Sequence, residues 1–230
     1  MKSNDNVTPY TADEYNRNIV KTIPGYREFH QETIDLVKTV ALEAAVWLDT
    51  GCGTGNLVDL AFPHFPRTVF LLADPSEKML TQAKKRLRRI PAVRIRFLDP
   101  VGTEQIVNPL PQAPVVISAI LCHHYFRPEQ RRKAVQHCFN LLAQGGIYIT
   151  FENIRPVSER GIAIGMERWK RFQLSQGRSM EVVEEHLKRF DQDYFPITIQ
   201  EHLALLRETG FSVVELLRHS YMQAGFYAIK

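Results

Sequence analysis

Three glycines at alternate positions, Gly51, Gly53 and Gly55, stand between an acid, Asp49, and an amide, Asn56, in the stretch LDTGCGTGNL from Leu48 to Leu57. Glycine takes positive φ without strain and has no side chain, so such a turn lets a ligand lie against bare backbone. A dinucleotide turn wants its third glycine three places after the second, and that place is held here by Asn56. A second carboxylate, Asp74, ends the apolar run TVFLLAD, where it can accept hydrogen bonds from two ribose hydroxyls. Further on, SAILCHHYF sets two imidazoles, His123 and His124, directly after another apolar run. A neutral imidazole is a suitable base near neutral pH, although a histidine is equally at home as a hydrogen-bonded structural residue. The chemistry suggested is an adenosine-bearing cofactor without a 2′-phosphate, beside a proton acceptor.

Placing those residues at one edge requires an alternating fold. AAVWLD (Ala44 to Asp49), TVFLLAD (Thr68 to Asp74), VRIRFL (Val93 to Leu98), PVVISA (Pro114 to Ala119) and GIYITFE (Gly146 to Glu152) are short apolar runs separated by helical patterns, the signature of βαβ units. VRIRFL alternates, with Arg94 and Arg96 on one face, which predicts the edge strand. Ser76 predicts a helix cap, Pro128 opens a helix to about Ala143, and TIQE (Thr198 to Glu201) is a capping box for a helix to Gly210. FSVVELL and MQAGFYAIK then read as neighbouring strands joined near His219 to Tyr221. Between the fifth strand and that helix, Val157 to Tyr194 breaks the alternation with two amphipathic helices, the second starting near Ser179 with Glu184/Lys188 and Glu185/Arg189 pairs. The expected fold is α/β: a Rossmann-like, seven-stranded, mostly parallel sheet with a C-terminal antiparallel hairpin and a helical cap. One domain is expected over 1–230, with an N-terminal lid at 1–30, a cofactor-binding core at 31–153, the cap at 154–195, and the last helix and hairpin at 196–230.

Composition narrows the function classes. A chain of 230 residues with 44% hydrophobic and 23% charged residues can bury one substantial core. Its longest nearly pure apolar run, VVISAILC, is far below the roughly 20 residues needed to span a bilayer, so no membrane partner is expected and a cytoplasmic location fits. Cys52, Cys122 and Cys138 lack metal-ligand spacing, so neither a disulfide framework nor a metal is expected. The net charge of +4 gathers in KKRLRR (Lys84 to Arg89), but Met79, Ala83 and Leu87 recur at i+4 through it. The run therefore reads as the solvent face of an amphipathic helix, and nucleic acid is not the expected partner.

LDTGCGTGNL, LLADPSEKML, FLDP and SAILCHHYF, in this order and spacing, resemble the class I S-adenosylmethionine-dependent methyltransferases across roughly the whole chain. The family's C-terminal hairpin matches the one inferred above. The resemblance implies S-adenosyl-L-methionine as cofactor, with Asp49 and Gly51 along its methionine part, Gly53 letting it pass and Asp74 on the ribose hydroxyls. It further implies Leu98 and Asp99 at the adenine and the backbone carbonyl of Ala119 at the cofactor's amino group. YNRNIVKTIPGY (Tyr15 to Tyr26) is similar to the subgroup containing carboxy-S-adenosylmethionine synthases, which implies Tyr26 as a ligand and Tyr15 as part of the lid.

Methyl transfer from a sulfonium is an in-line displacement, in which the protein aligns the acceptor and takes its proton if it has one. His124 and His123 are the candidate bases. The Asn/Asp-Pro-Pro-aromatic run of amino-methylating relatives and the acidic ligands of metal-dependent ones are absent from the corresponding places. A small-molecule acceptor remains, with Trp169, Tyr194, Tyr221 and Arg171 of the cap and hairpin as candidate contacts. Three alternatives stay open: a carboxy-S-adenosylmethionine synthase-like tRNA-modification enzyme, an RNA methyltransferase, and a non-catalytic cofactor-binding protein. Against the first, the family's carboxylate-holding arginine falls on Leu205 in an ungapped match of EHLALLRETGF, and Arg207 lies on another helical face. A homodimer is compatible with the sequence and not required by it.

Overall fold

The computed structural model describes residues 7–40, 45–109 and 112–230. Val46–Thr50 (β1), Val69–Ala73 (β2), Ile95–Phe97 (β3), Val116–Ile120 (β4), Ile147–Asn153 (β5), Val213–Ser220 (β6) and Gln223–Ile229 (β7) form one seven-stranded sheet in the order β3-β2-β1-β4-β5-β7-β6. The first five strands pair in parallel, and β7 pairs antiparallel with both β5 and β6. The arginine-bearing β3 lies at the edge, as its alternation predicts. β1 begins at Val46, whereas Ala44 falls outside the described residues.

Each strand divides its side chains between two cores because successive Cβ atoms point to opposite faces. Trp47, Phe70, Leu72, Val116 and Phe151 pack one side with Ile19, Phe29 and Trp169. Leu48, Leu71, Ile117 and Tyr148 pack the other with Val135, Leu206 and Phe211. The first core draws on Ala12–Thr22 (α1), Tyr26–Thr39 (α2), Asn56–Ala61 (α3), Glu77–Arg86 (α4) and Glu159–Ser175 (α6). The second draws on Pro128–Leu141 (α5) and Ile199–Thr209 (α8).

Local caps fall where the side-chain chemistry dictates. Ser76 accepts from the Met79 amide, Ser179 from Val182, and Thr198 exchanges both capping-box bonds with Glu201. The helix that Ser179 opens, Met180–Lys188 (α7), stacks on α6. Its ion pairs differ from the i+4 expectation: Glu184 pairs with Lys170 of α6, Glu185 with Lys188, and Arg189 with Asp193. Packing against α6 brings Lys170 within reach of Glu184. Two contacts fasten the N-terminal segment to this layer: Trp169 Nε1 donates to the Thr22 carbonyl at 2.6 Å, and Arg189 Nη2 to the Val7 carbonyl at 2.6 Å. No helix among the described residues is long and apolar enough to cross a membrane.

Candidate active site

Strands β1, β2 and β4 end side by side, and the turn after β1 opens onto a cavity of about 360 Å³. Gly51, Gly53 and Gly55 all take positive φ, at 62°, 54° and 78°. Gly51 is needed for close packing, since a Cβ there would stand 2.5 Å from the Cys122 Cβ. Gly53 has another use: nothing lies within 4 Å of where its Cβ would be, so the backbone is bared to open space. Asp74 shapes this turn, accepting from the Gly53 amide and from the Ser76 amide, both at 2.8 Å. Gly51, Gly53, Asp74, Pro75 and Met79 line the cavity together with Gly102, Thr103 and Glu104.

A smaller niche continues from the turn and is lined by Tyr26, His30, Asp49 and Asn56 among others. Trp47 Nε1 donates to the Ser118 hydroxyl, which in turn donates to Asp49 Oδ1 at 2.6 Å, fixing the carboxylate. Burial pushes the Asp49 pKa up to about 7, against the Ser118 bond and with the help of Asp74. Asn56 donates to Tyr26 Oη and to Asn16 Oδ1, and Thr54 also donates to Asn16, so the N-terminal helices are tied onto the turn.

A third, narrower cavity of about 20 Å³ lies between α1 and the cap, lined by Tyr10, Thr22, His124, Asn153, His186, Arg189 and Tyr194 among others. Tyr15 lines all three spaces. Leu121 and Tyr125 line both the large cavity and the third.

The two histidines differ sharply. His123 is caged, with Nε2 3.2 Å from Thr103 Oγ1 and Nδ1 3.1 Å from Tyr148 Oη, and burial lowers its pKa to about 4. It is a structural residue and lines neither the cofactor-sized cavity nor the third one, which corrects its candidacy as a base. His124 places Nδ1 2.7 Å from Glu152 Oε2 and borders the third cavity. Burial alone would raise the Glu152 pKa, yet its pairing with His124, and after it the His123 and His202 rings, outweigh burial and hold it down at about 2. Glu152 also accepts from the His123 and His124 amides and shares the Thr150 hydroxyl with the Ala119 carbonyl. An ionised Glu152 keeps the proton on Nδ1 and leaves Nε2 as acceptor. The Asn153 amide, 3.5 Å from Nδ1, is too distant to compete.

Several expected contacts fall elsewhere. Asp99 is exposed, and neither it nor Leu98 lines any of the three cavities described above. After β3 the chain turns back at Pro100, where the Val101 amide bonds to the Asp74 carbonyl, and this carries 102–104 to the cavity instead. Glu104 stands there with Oε1 on Gln130 and Oε2 buried without a partner. The Ala119 carbonyl accepts the Thr150 hydroxyl, and Ile120, one residue further along the strand, reaches the cavity. Trp169 is buried with its indole N–H on Thr22, Tyr221 packs between Phe172 and Arg168, and Arg171 sits on the surface with Glu167. None of these three lines a cavity described above; of the four cap and hairpin candidates, Tyr194 does. Cys122, His123 and Glu152 have donor atoms within 4.8 Å of one another, but the His123 nitrogens and the Glu152 oxygens are already engaged by protein groups.

Residues 48–148 match the family model described as a methyltransferase domain. That match takes in the glycine turn and strands β2 to β4, and the seven-stranded topology around it is that of the Rossmann-like methyltransferase fold. Among curated proteins it is similar to the carboxy-S-adenosyl-L-methionine synthase of Nautilia profundicola, 23% identical over 91% of this chain and 88% of that one. It is likewise similar to the synthase of that name from Helicobacter hepaticus, 25% identical over 90% and 86%. Among solved structures, the plantazolicin methyltransferase BpumL in complex with a desmethyl analogue and S-adenosylhomocysteine superimposes with a TM-score of 0.68 at 17% identity, over 95% of this chain and 88% of that one.

S-adenosyl-L-methionine, the cofactor expected from the sequence, fits this chain's own residues. Gly53 bares backbone to the cavity, Asp74 offers a carboxylate at the end of β2, and the orphaned Glu104 Oε2 offers an acceptor beyond it. Asp74→Ala is expected to weaken binding of S-adenosylmethionine at least a hundredfold, the equivalent of two charge-assisted hydrogen bonds at roughly 1.5 kcal/mol each. Because Asp74 also pins Gly53 and Ser76, Asp74→Asn should fall between the two. Calorimetric titration measures it, and an alanine variant with near-native affinity would contradict the assignment.

Proposed function

We propose that the protein transfers the methyl group of S-adenosylmethionine to a small-molecule acceptor held between the N-terminal lid and the cap. The observation that carries this reading is the shared wall of Tyr15, Leu121 and Tyr125 between the cofactor-sized cavity and the third cavity, with His124 on the far side. The bound cofactor supplies an electrophilic methyl on a sulfonium. The chain does the remainder. Asp49, Tyr26 and Asn56 hold the amino-acid end, Asp74 the ribose and Glu104 the adenine amino group. Tyr15 stands at the junction where acceptor and methyl meet in line, and the lid and cap exclude water from that junction. His124 Nε2 receives the acceptor's proton, and Glu152 stabilises the imidazolium that results.

Incubating the purified protein with a metabolite extract and methyl-labelled cofactor tests this reading. Label in a small molecule, with release of S-adenosylhomocysteine, is the expected result. Cofactor binding without transfer to any fraction would leave a cofactor-binding protein.

The similarity to the two synthases favours a second reading, carboxy-S-adenosylmethionine formation. Two features of this chain weigh against it: Leu205 is packed among the apolar side chains around α8, and Arg207 is exposed. Mass spectrometry of ligand extracted from the protein distinguishes them, since a carboxylated cofactor belongs only to the second reading.

A further inference from the structure

The third cavity is polar where a purely apolar acceptor would need it dry. Tyr194 Oη and His186 Nδ1 are both buried without a hydrogen-bond partner, on side chains that are 2% and 7% exposed. Both residues line this space. Unpaired buried polar groups are costly and rare, so two converging on one cavity mark a place built for a polar occupant.

The surrounding charges select its sign. Arg178 and Arg189 both act on Tyr10 and on His186, and Arg189 acts also on Tyr125 and Tyr194. Burial and these two cations hold His186 neutral, with its pKa lowered to about 3. Among the described residues, no carboxylate pairs with Arg178, whose guanidinium donates to Gln173 and lies over the Tyr10 ring. On the negative side, Asp193 takes the Arg189 Nε, Asp191 pairs with Arg155, and Glu152 is engaged with His124 and its other donors. Arg178 thus stands behind the Tyr10 wall of the cavity as a guanidinium that no acid among the described residues neutralises.

On the acceptor site proposed above, we infer that the acceptor is a carboxylic acid, its carboxylate taken by the Tyr194 hydroxyl at the Arg189 end of the third cavity, where the Arg178 guanidinium stands behind the Tyr10 ring. The remainder of the molecule extends past Tyr15, Leu121 and Tyr125 toward the methyl. A volume of about 20 Å³ suits a carboxylate, which displaces one or two waters, better than a tetrahedral phosphate. His186 serves as a neutral hydrogen-bond partner and adds no charge of its own.

The test fractionates a metabolite extract on an anion exchanger before reaction, then supplies each fraction to the full chain with methyl-labelled cofactor. Label is expected in the anion-retained fraction and is expected to survive prior phosphatase treatment. The acceptor so isolated should bind the S-adenosylhomocysteine-loaded protein by calorimetry, and Tyr194→Phe should weaken that binding by about tenfold or more. Arg178→Gln should do the same, with the affinity for S-adenosylhomocysteine changed less than about twofold in both variants. Label confined to the unretained fractions would overturn the inference while leaving methyl transfer standing. Label abolished by phosphatase would replace the carboxylate by a phosphate. Absence of label from every fraction would remove both the acceptor site and the inference that rests on it. Unchanged acceptor binding in both variants would reduce the cavity to a site for trapped water.

Discussion

Lowering the pH from about 7 to about 4 is expected to unfold the protein cooperatively, with the loss of stability concentrated between about pH 6.5 and 4. Four buried histidines set this window. Burial pushes the pKa values of His30, His123 and His202 down to about 4 and that of His186 to about 3. An unfolded histidine binds a proton near pH 6.5, so below that value the unfolded chain takes up protons that the folded chain refuses. Their contribution is fully present above pH 6.5 and is lost as the pH falls toward the folded values. Asp49 works in the opposite direction, because its raised pKa of about 7 lets the folded state hold a proton that the unfolded state releases. Four against one leaves about three protons, a slope of about 4 kcal/mol per pH unit at its steepest. A stability of about 5–15 kcal/mol is exhausted within a few such units. Urea midpoints measured across this range report the slope directly. A midpoint that stays level down to pH 5 would mean that these rings are solvated or paired with acids in solution.

Replacing His124 by alanine is expected to lower turnover by about a hundredfold to ten-thousandfold, the range for loss of a positioned general base, while leaving cofactor affinity close to native. The expectation follows from the contrast between adjacent imidazoles. Both nitrogens of His123 are engaged, whereas His124 uses Nδ1 on Glu152 and borders the acceptor cavity. Glu152→Gln separates a chemical role from a structural one. The amide preserves the shape but lets Nδ1 act as acceptor, so the ring adopts the wrong tautomer and turnover falls. His124→Gln is the control for packing against Tyr125 and Tyr194. Full turnover in both His124 variants, with an acceptor that carries a proton to lose, would remove the base from the reaction.

The parts of the site that could be read in the sequence are those whose chemistry is local. The glycine turn, the acids closing β1 and β2, and the Ser76, Ser179 and Thr198 caps each depend on a few consecutive residues. Glu152 closes the apolar run of β5, next to last in the strand, much as Asp49 and Asp74 close theirs, so the signal that would have singled it out was present. Asp99 and Ala119 missed the cavity by a few residues because the path of the chain after β3 and the length of β4 are set by pairing, which periodicity does not register. Trp169 shows the limit for the cap. It lies in a segment that reads as amphipathic helix, but whether its buried face meets acceptor or lid depends on how α6 docks, and here the indole meets the carbonyl of Thr22. Tyr194 and His186 come together through packing between elements, which leaves no mark on spacing.

The position of β7 bears on how the molecule is made. Although last in the described chain, it lies inside the sheet and, among the described residues, supplies the only strand pairing that joins β6 to the remainder. During synthesis, β1 to β5 can assemble in order as they leave the ribosome, but β6 emerges with its hydrogen-bonding edge unanswered until β7 follows. Phe226, fully buried against the second core, then enters between strands already in place. The nascent protein therefore passes through a stage with two open strand edges, one on β5 and one on β6, and is most exposed to aggregation or chaperone capture at that point.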